Sequence, residues 1–312
     1  MLLVKFITLL KAIACSAGPV NHGVISHQLI SKEINDNQLK PKIIVTEINA
    51  LQKICNRILS SQDKNFIQSQ LKLLVNDYTL INYKLGHGRH IWRGRKCDSS
   101  GYSHLHKLHC PPANLTNAGR MNDPGKPLFY ASYTKFCVFE EIGAKDGDYV
   151  HLVAHHIKEK EKLRCCLVGE ITNVQRSGRT YIFDGLGKHL SKMINDMPQS
   201  AGLSFVYIDA FFSSILRDKE ASTKNYLHSR ILSNLLFEKL SKMDAIIYPS
   251  VALESTMNIA ISPTSVERYL TLIGSMVVKI IKRYEYGLFD FTLIKSAEGF
   301  DNDGKIIWIE NS

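Results

Sequence analysis

The chain has 312 residues and a mass of 35.3 kDa, with 45% hydrophobic and 22% charged residues. That balance excludes fibrous and disordered classes and fits a globular chain with a sizeable core. Thirty-nine Lys and Arg against 29 Asp and Glu give a formal charge of +10, which points to an anionic partner: a phosphorylated small molecule, a nucleic acid or an acidic protein.

Residues 1–20 are mildly apolar, but Lys11 interrupts the run and no clear small-x-small cleavage site follows a proper hydrophobic stretch, so a secretory signal is not expected. No stretch reaches the ~20 apolar residues of a bilayer span, and membrane insertion is not expected. Residues 24–81 read as mainly helical: Leu51, Ile54, Ile58 and Leu59 recur at helical spacing, as do Ile67, Leu71, Leu74 and Val75. Residues 85–148 are rich in Gly, Pro, His and Arg, with short apolar runs such as 128–131, and fit loops and short strands. A further helix is expected over 223–242, with Leu227, Ile231, Leu235 and Leu236 on one side. It precedes Asp244-Ala245-Ile246-Ile247-Tyr248-Pro249-Ser250, a β-branched run that the proline should end. Residues 289–295 and 305–309 flank Asn302-Asp303-Gly304 and make a closing hairpin. The sum is an α+β fold, divided into an N-terminal helical segment over 1–84 and a second region over 85–312.

The seven cysteines have no framework spacing, and the one close pair, Cys165–Cys166, would bridge with strain; the chain reads as a reduced, cytoplasmic protein. Cys97, His104, His106, His109 and Cys110 lie within fourteen residues, but without the close paired spacing of structural zinc sites, so no metal is expected. His155-His156 and Cys165-Cys166 are adjacent pairs whose side chains point apart on either regular element. Neither a Gly-x-Gly-x-x-Gly turn nor a Gly-x-x-x-x-Gly-Lys loop followed by Ser or Thr occurs, which leaves Rossmann dehydrogenases and P-loop ATPases without support. Lys and Arg are spread along the chain rather than interleaved with aromatics on one element, so a nucleic-acid partner is the weaker reading of the charge.

Chemistry concentrates between Trp92-Arg93-Gly94-Arg95 and Gly119-Arg120-Met121-Asn122-Asp123-Pro124-Gly125. Arginines held in short glycine and proline turns suit bidentate recognition of phosphate or carboxylate. After them come Phe129-Tyr130-Ala131-Ser132, the adjacent pair Glu140-Glu141, and Tyr248-Pro249-Ser250 with Asn258 eight residues on.

In this order the elements resemble the RES-domain proteins, bacterial toxins and relatives that degrade NAD⁺; the resemblance covers about residues 85–260. It implies an ADP-ribosyltransferase-like mixed sheet core with an N-terminal helical extension, so that 85–312 would be the catalytic domain. It further implies cleavage of the nicotinamide–ribose bond, by water or with inorganic phosphate as co-substrate, with NAD⁺ as substrate and no cofactor. Carried over by position, Arg93 and Arg120 would bind phosphates, Tyr130 would stack on or orient the nicotinamide, and Ser250 would bind substrate, with Asn258 in a supporting place. The glutamate is Glu141 or Glu140; Val138 and Phe139 before it and Ile142 after it favour Glu141, and adjacent helical residues ~100° apart cannot both face one site. A carboxylate there would stabilise the oxocarbenium-like ribose of the transition state. The resemblance also implies a toxin blocked by a small protein antitoxin. The alternatives are an ADP-ribosyltransferase modifying a protein or nucleic acid, and a basic nucleic-acid-binding protein without enzymatic activity.

Overall fold

The computed structural model describes residues 47–181, 185–239 and 243–309; the expectations for residues 1–46 lie outside them. Two helices open the described chain, α1 (Ile48–Ser60) and α2 (Lys64–Asp77). Leu51, Cys55 and Ile58 form the buried stripe of α1, and Ile67, Leu71, Leu74 and Val75 that of α2. Leu59, expected on the core face, is 43% exposed: one residue beyond Ile58 it turns ~100° away from the stripe. Asp63 caps α2 by accepting from the backbone N–H of Asn65 and Phe66.

Ten described strands form one mixed sheet. They are β1 (Ile81–Leu85), β2 (Ile91–Cys97), β3 (Phe129–Ser132), β4 (Tyr149–Ile157), β5 (Leu163–Leu167), β6 (Ala245–Pro249), β7 (Met257–Ile261), β8 (Leu270–Arg283), β9 (Phe289–Phe300) and β10 (Ile306–Ile309). Their order across the sheet is β1-β5-β6-β7-β3-β2-β4-β8-β9-β10. β5 and β6 run parallel, and every other ladder is antiparallel. Pro249 ends β6, and β9 turns into β10 through residues 301–304 with Gly304 in the left-handed region. The chain is α+β with a large mixed sheet.

The remaining helices are α3 (Lys135–Glu141), α4 (Glu170–Ser177), α5 (Leu186–Asn195), α6 (Gln199–Leu216), α7 (Leu227–Lys239) and α8 (Pro263–Tyr269). The helix expected over 223–242 starts four residues late. Asn225 and Tyr226 both take positive φ and break the chain between a 3₁₀ turn, Ala221–Lys224, and α7; its expected end, 240–242, lies outside the described residues. α1 and α2 pack on α6 and α7, and their stripes share one core with Phe212 of α6 and the strands β5, β6 and β7. The ammonium of Lys239 donates to the carbonyls of Val75, Asn76 and Tyr78, closing the C-terminal end of α2. No helix among the described residues is long and apolar enough to cross a membrane.

Candidate functional site

Register decides which side chains can meet. Trp92 pairs with Ser132, Ser132 with Asn258, and Asn258 with Tyr248. Directly opposed residues put their side chains on the same face, so these four share one face of the sheet, and Tyr130, two residues from Ser132, joins them. Arg93 falls between Trp92 and Gly94 and points to the other face.

Helix α3 lies on the Trp92 face, where Trp92, Val138 and Phe139 form one apolar cluster. Thr134 caps it by accepting from the Cys137 N–H at 3.1 Å. The helix can sit this close because residue 94 has no side chain: a Cβ there would lie 2.5 Å from Val138 Cγ1. The last turn of α3 carries both glutamates, and they part company. Glu140 accepts from Arg283 Nη2 at 2.8 Å and Nε at 3.2 Å, its side chain 7% exposed. Glu141 Oε1 accepts from Ser250 Oγ at 2.6 Å and from Asn258 Nδ2 at 2.5 Å, while Oε2 takes no partner among the described residues and Glu141 as a whole is exposed.

The partners of Glu141 are themselves held. Ser250 Oγ, which donates to the carboxylate, accepts from the backbone N–H of Ala252 and Leu253, each at 3.1 Å. Asn258 Oδ1 accepts from Ser132 Oγ at 2.5 Å and from Cys137 Sγ at 3.4 Å, which fixes the amide so that its nitrogen faces Glu141. Thr256 Oγ1 donates to the Leu253 carbonyl at 2.7 Å and lies 3.3 Å from Cys137 Sγ. Ser132, Cys137 and Thr256 thus form a layer behind the cluster. Burial pushes the Cys137 thiol up, so it stays a neutral, weak donor.

The glycine-rich loop crosses the same face. Tyr130 Oη donates to Asn122 Oδ1 at 2.7 Å and accepts from the Met121 N–H at 2.9 Å; burial raises its pKa. Asn122 Nδ2 donates to the carbonyls of Asn117 and Asp123, both at 2.9 Å. A Cβ on Gly119 would come within 2.5 Å of Asn122 Oδ1 and 3.0 Å of Tyr130 Oη, so the loop closes only around a glycine. α7 anchors it from above: Arg230 Nη1 and Asn234 Nδ2 reach Asp123 at 3.2 and 2.7 Å, and Ser233 Oγ donates to the Met121 carbonyl. Arg120 Nη1 donates to the carbonyls of Leu216 and Asp218 at 3.1 and 2.9 Å, satisfying the C-terminal end of α6. Its guanidinium carbon is 5.6 Å from the centre of the Tyr226 ring, and Nε and Nη2 take no hydrogen-bond partner among the described residues. Buried Tyr248 ties the two sides together. Desolvation raises its pKa well above the ordinary value, the Tyr130 hydroxyl and the Glu141 charge add to that, and Arg120 opposes it.

Arg120, Tyr130, Glu141, Ser250 and Asn258 are therefore gathered on one face. Arg93 is not among them. Its Nε, Nη1 and Nη2 donate to the carbonyls of Leu108, Tyr130 and His109 at 2.9, 2.8 and 3.3 Å, and its guanidinium carbon lies 5.0 Å from the Phe129 ring centre on the opposite face. Burial lowers its pKa to about 10. The strand alternation that brings Trp92 to α3 removes Arg93 from Glu141; it clamps the 3₁₀ turn Leu105–Leu108 to β3 instead. Tyr130, expected to stack on or orient a ligand ring, has its hydroxyl committed to the loop. Among the described residues no three His, Cys, Asp or Glu side chains come together as a metal site. The six described cysteines are free thiols.

No family model and no curated protein matches the chain.

Proposed function

We propose that the chain cleaves the C–N bond joining nicotinamide to ribose in NAD⁺, with Glu141 offsetting the positive charge that develops on the sugar. The observation that carries this reading is the meeting of Glu141, Ser250 and Asn258 from three separate segments. Two donors fix one carboxylate oxygen and leave the other open to a ligand. A carboxylate held this way needs no rearrangement when charge appears beside it. In the reaction the bond pair leaves with the nicotinamide nitrogen, whose pyridinium charge is thereby neutralised, and C1′ becomes oxocarbenium-like. An oxygen of water or of inorganic phosphate then bonds to C1′; water gives up a proton in that step, phosphate dianion need not. The departing ring is already cationic, which fits a site with one carboxylate rather than an acid–base pair.

On this reading Arg120, on the Glu141 face with Nε and Nη2 uncommitted, contacts the pyrophosphate. Arg93 acts as a positioning residue that holds the backbone of Tyr130. Stacking of the Tyr130 ring on nicotinamide stays compatible with a committed hydroxyl, because stacking uses the ring face. A small protein inhibitor covering Glu141 is the partner, and a reduced, cytoplasmic setting the location, that go with the RES-like reading. The test is incubation of the purified chain with NAD⁺, with and without inorganic phosphate, and identification of products. Free nicotinamide with ADP-ribose means transfer to water, and with a phosphorylated ADP-ribose, transfer to phosphate. Label appearing on added protein or nucleic acid assigns the chain to the transferases instead, and NAD⁺ left intact refutes the proposal.

A further inference from the structure

Beside the Glu141 cluster lies a cavity of about 400 Å³ between α4 and α6. The parallel strands β5 and β6 both deliver the chain to this edge: β5 leads into α4, and β6 ends in Pro249, which lines the cavity and is followed by Ser250. The carboxyl ends of adjacent parallel strands are where open α/β sheets leave a crevice for ligands. Arg217 also lines the cavity, between Leu216 and Asp218, the two residues whose carbonyls hold Arg120. The cavity thus adjoins both Ser250, through Pro249, and the seat of Arg120, through Arg217.

Its lining is chosen for an anion with a flat ring. Arg176 and Arg217 stand on opposite walls, from α4 and from the end of α6, and neither guanidinium has a hydrogen bond or ion pair among the described residues. Tyr181 supplies an aromatic surface, and Asn173 and Ser213 supply neutral polar groups. The N-terminal end of α4 is not the attraction, because buried Asp209 already occupies it. Asp209 accepts from the N–H groups of Gly169 and Thr172 at 2.8 Å each, from Thr172 Oγ1 at 2.9 Å and from Tyr78 Oη at 2.8 Å. That network locks α4 to α6 and makes the cavity's floor rigid. Two exposed, unpaired guanidinium groups bordering a half-open cavity can take phosphate oxygens in bidentate fashion, and the volume is within the range of small-ligand sites.

We propose that this cavity binds the nucleoside diphosphate half of the substrate, with Arg176 and Arg217 joining Arg120 on the phosphates and Tyr181 against the base, leaving the distal ribose to reach Glu141 past Pro249 and Ser250. The assignment of substrate rests on the NAD⁺-cleaving reading; the site itself does not. It is tested by calorimetric titration of the full chain with ADP, which has no nicotinamide bond to cleave, and with adenosine, which has no phosphate. The wild-type chain should bind ADP, and adenosine at least tenfold more weakly. The double variant Arg176→Ala/Arg217→Ala should bind ADP at least tenfold more weakly than wild type with an unchanged melting temperature, since neither arginine holds another described residue. Glu141→Gln should bind ADP as wild type does. Absence of ADP binding, or equal binding by the double variant, overturns the proposal. A chain that binds ADP through these arginines yet leaves NAD⁺ intact sustains the site and overturns the cleavage reading.

Discussion

Replacing Tyr130 with Phe removes a single oxygen and keeps the ring, and its effect follows from where that oxygen is spent. The hydroxyl joins Asn122 Oδ1 to the Met121 N–H at 2.7 and 2.9 Å, and both residues are nearly inaccessible, 5% and 1% exposed. In Tyr130→Phe a buried amide N–H and a buried amide oxygen each lose a partner. An unsatisfied buried group costs about 1–3 kcal/mol, so the pair should cost about 2–4 kcal/mol, allowing for some relaxation of the loop. An unfolding entropy of about 2.1 cal/mol/K per residue gives roughly 0.65 kcal/mol/K for a chain of 312 residues. The melting temperature should therefore drop by about 3–6 °C. Urea denaturation followed by circular dichroism measures the free energy directly. A double-mutant cycle with Asn122→Ala should return a coupling of about 0.5–3 kcal/mol. A Tyr130→Phe chain within about 0.5 kcal/mol of wild type, or a cycle with no coupling, would refute the role given to this hydroxyl.

Arg93→Ala should destabilise the fold by about 2–4 kcal/mol, because three backbone carbonyls lose their donor together; Arg93→Lys should recover little, since one ammonium cannot replace a planar fork. Denaturation with unchanged stability but lost NAD⁺ turnover would instead return Arg93 to the substrate. Acid should weaken the protein through two buried histidines and the half-buried His156: desolvation lowers His155 to about 3 and His151 and His156 to about 4, from an ordinary 6.5. The unfolded chain takes up these protons below pH 6.5 and the folded chain does not, so stability present above that value is lost as pH falls toward 4. Urea midpoints between pH 7.5 and 5 should decline, with a shallower slope in His155→Leu; equal slopes in the two chains would contradict this.

Much of the architecture can be read from residues alone where one face of an element is buried and the other wet. The stripes Leu51-Ile58 and Ile67-Leu71-Leu74, the proline-ended run at Pro249 and the turn Asn302-Asp303-Gly304 are such places. The middle of the chain gives no such contrast. α6 is apolar nearly all round, with Phe205, Ile208, Phe211, Phe212 and Ile215 all buried, so it has no stripe to betray a helical period. β4 lies between two neighbours and is buried on both faces, His151 and His155 included, which erases the alternation expected of a strand. At the site, the separation of Glu140 from Glu141 follows from helical geometry, but the removal of Arg93 does not follow from its neighbourhood in sequence. It requires knowing that Trp92 opposes Ser132. The layer of Ser132, Cys137 and Thr256 had one sequence signal: Tyr130 and Ser132, two apart on a strand, must share a face. Cys137 and Thr256 belong to no motif and are brought in by contact alone.

The claim that a carboxylate at position 141 carries the chemistry is tested most directly by NAD⁺ turnover in two isosteric variants. Glu141→Gln keeps the hydrogen-bonding shape at Ser250 and Asn258 but removes the charge, and should lose at least a hundredfold in kcat, the order of effect of deleting one preorganised electrostatic group. Glu140→Gln gives up its ion pair to Arg283 and should turn over NAD⁺ at close to the wild-type rate. An active Glu141→Gln chain, or an inactive Glu140→Gln chain of wild-type stability, would contradict the account.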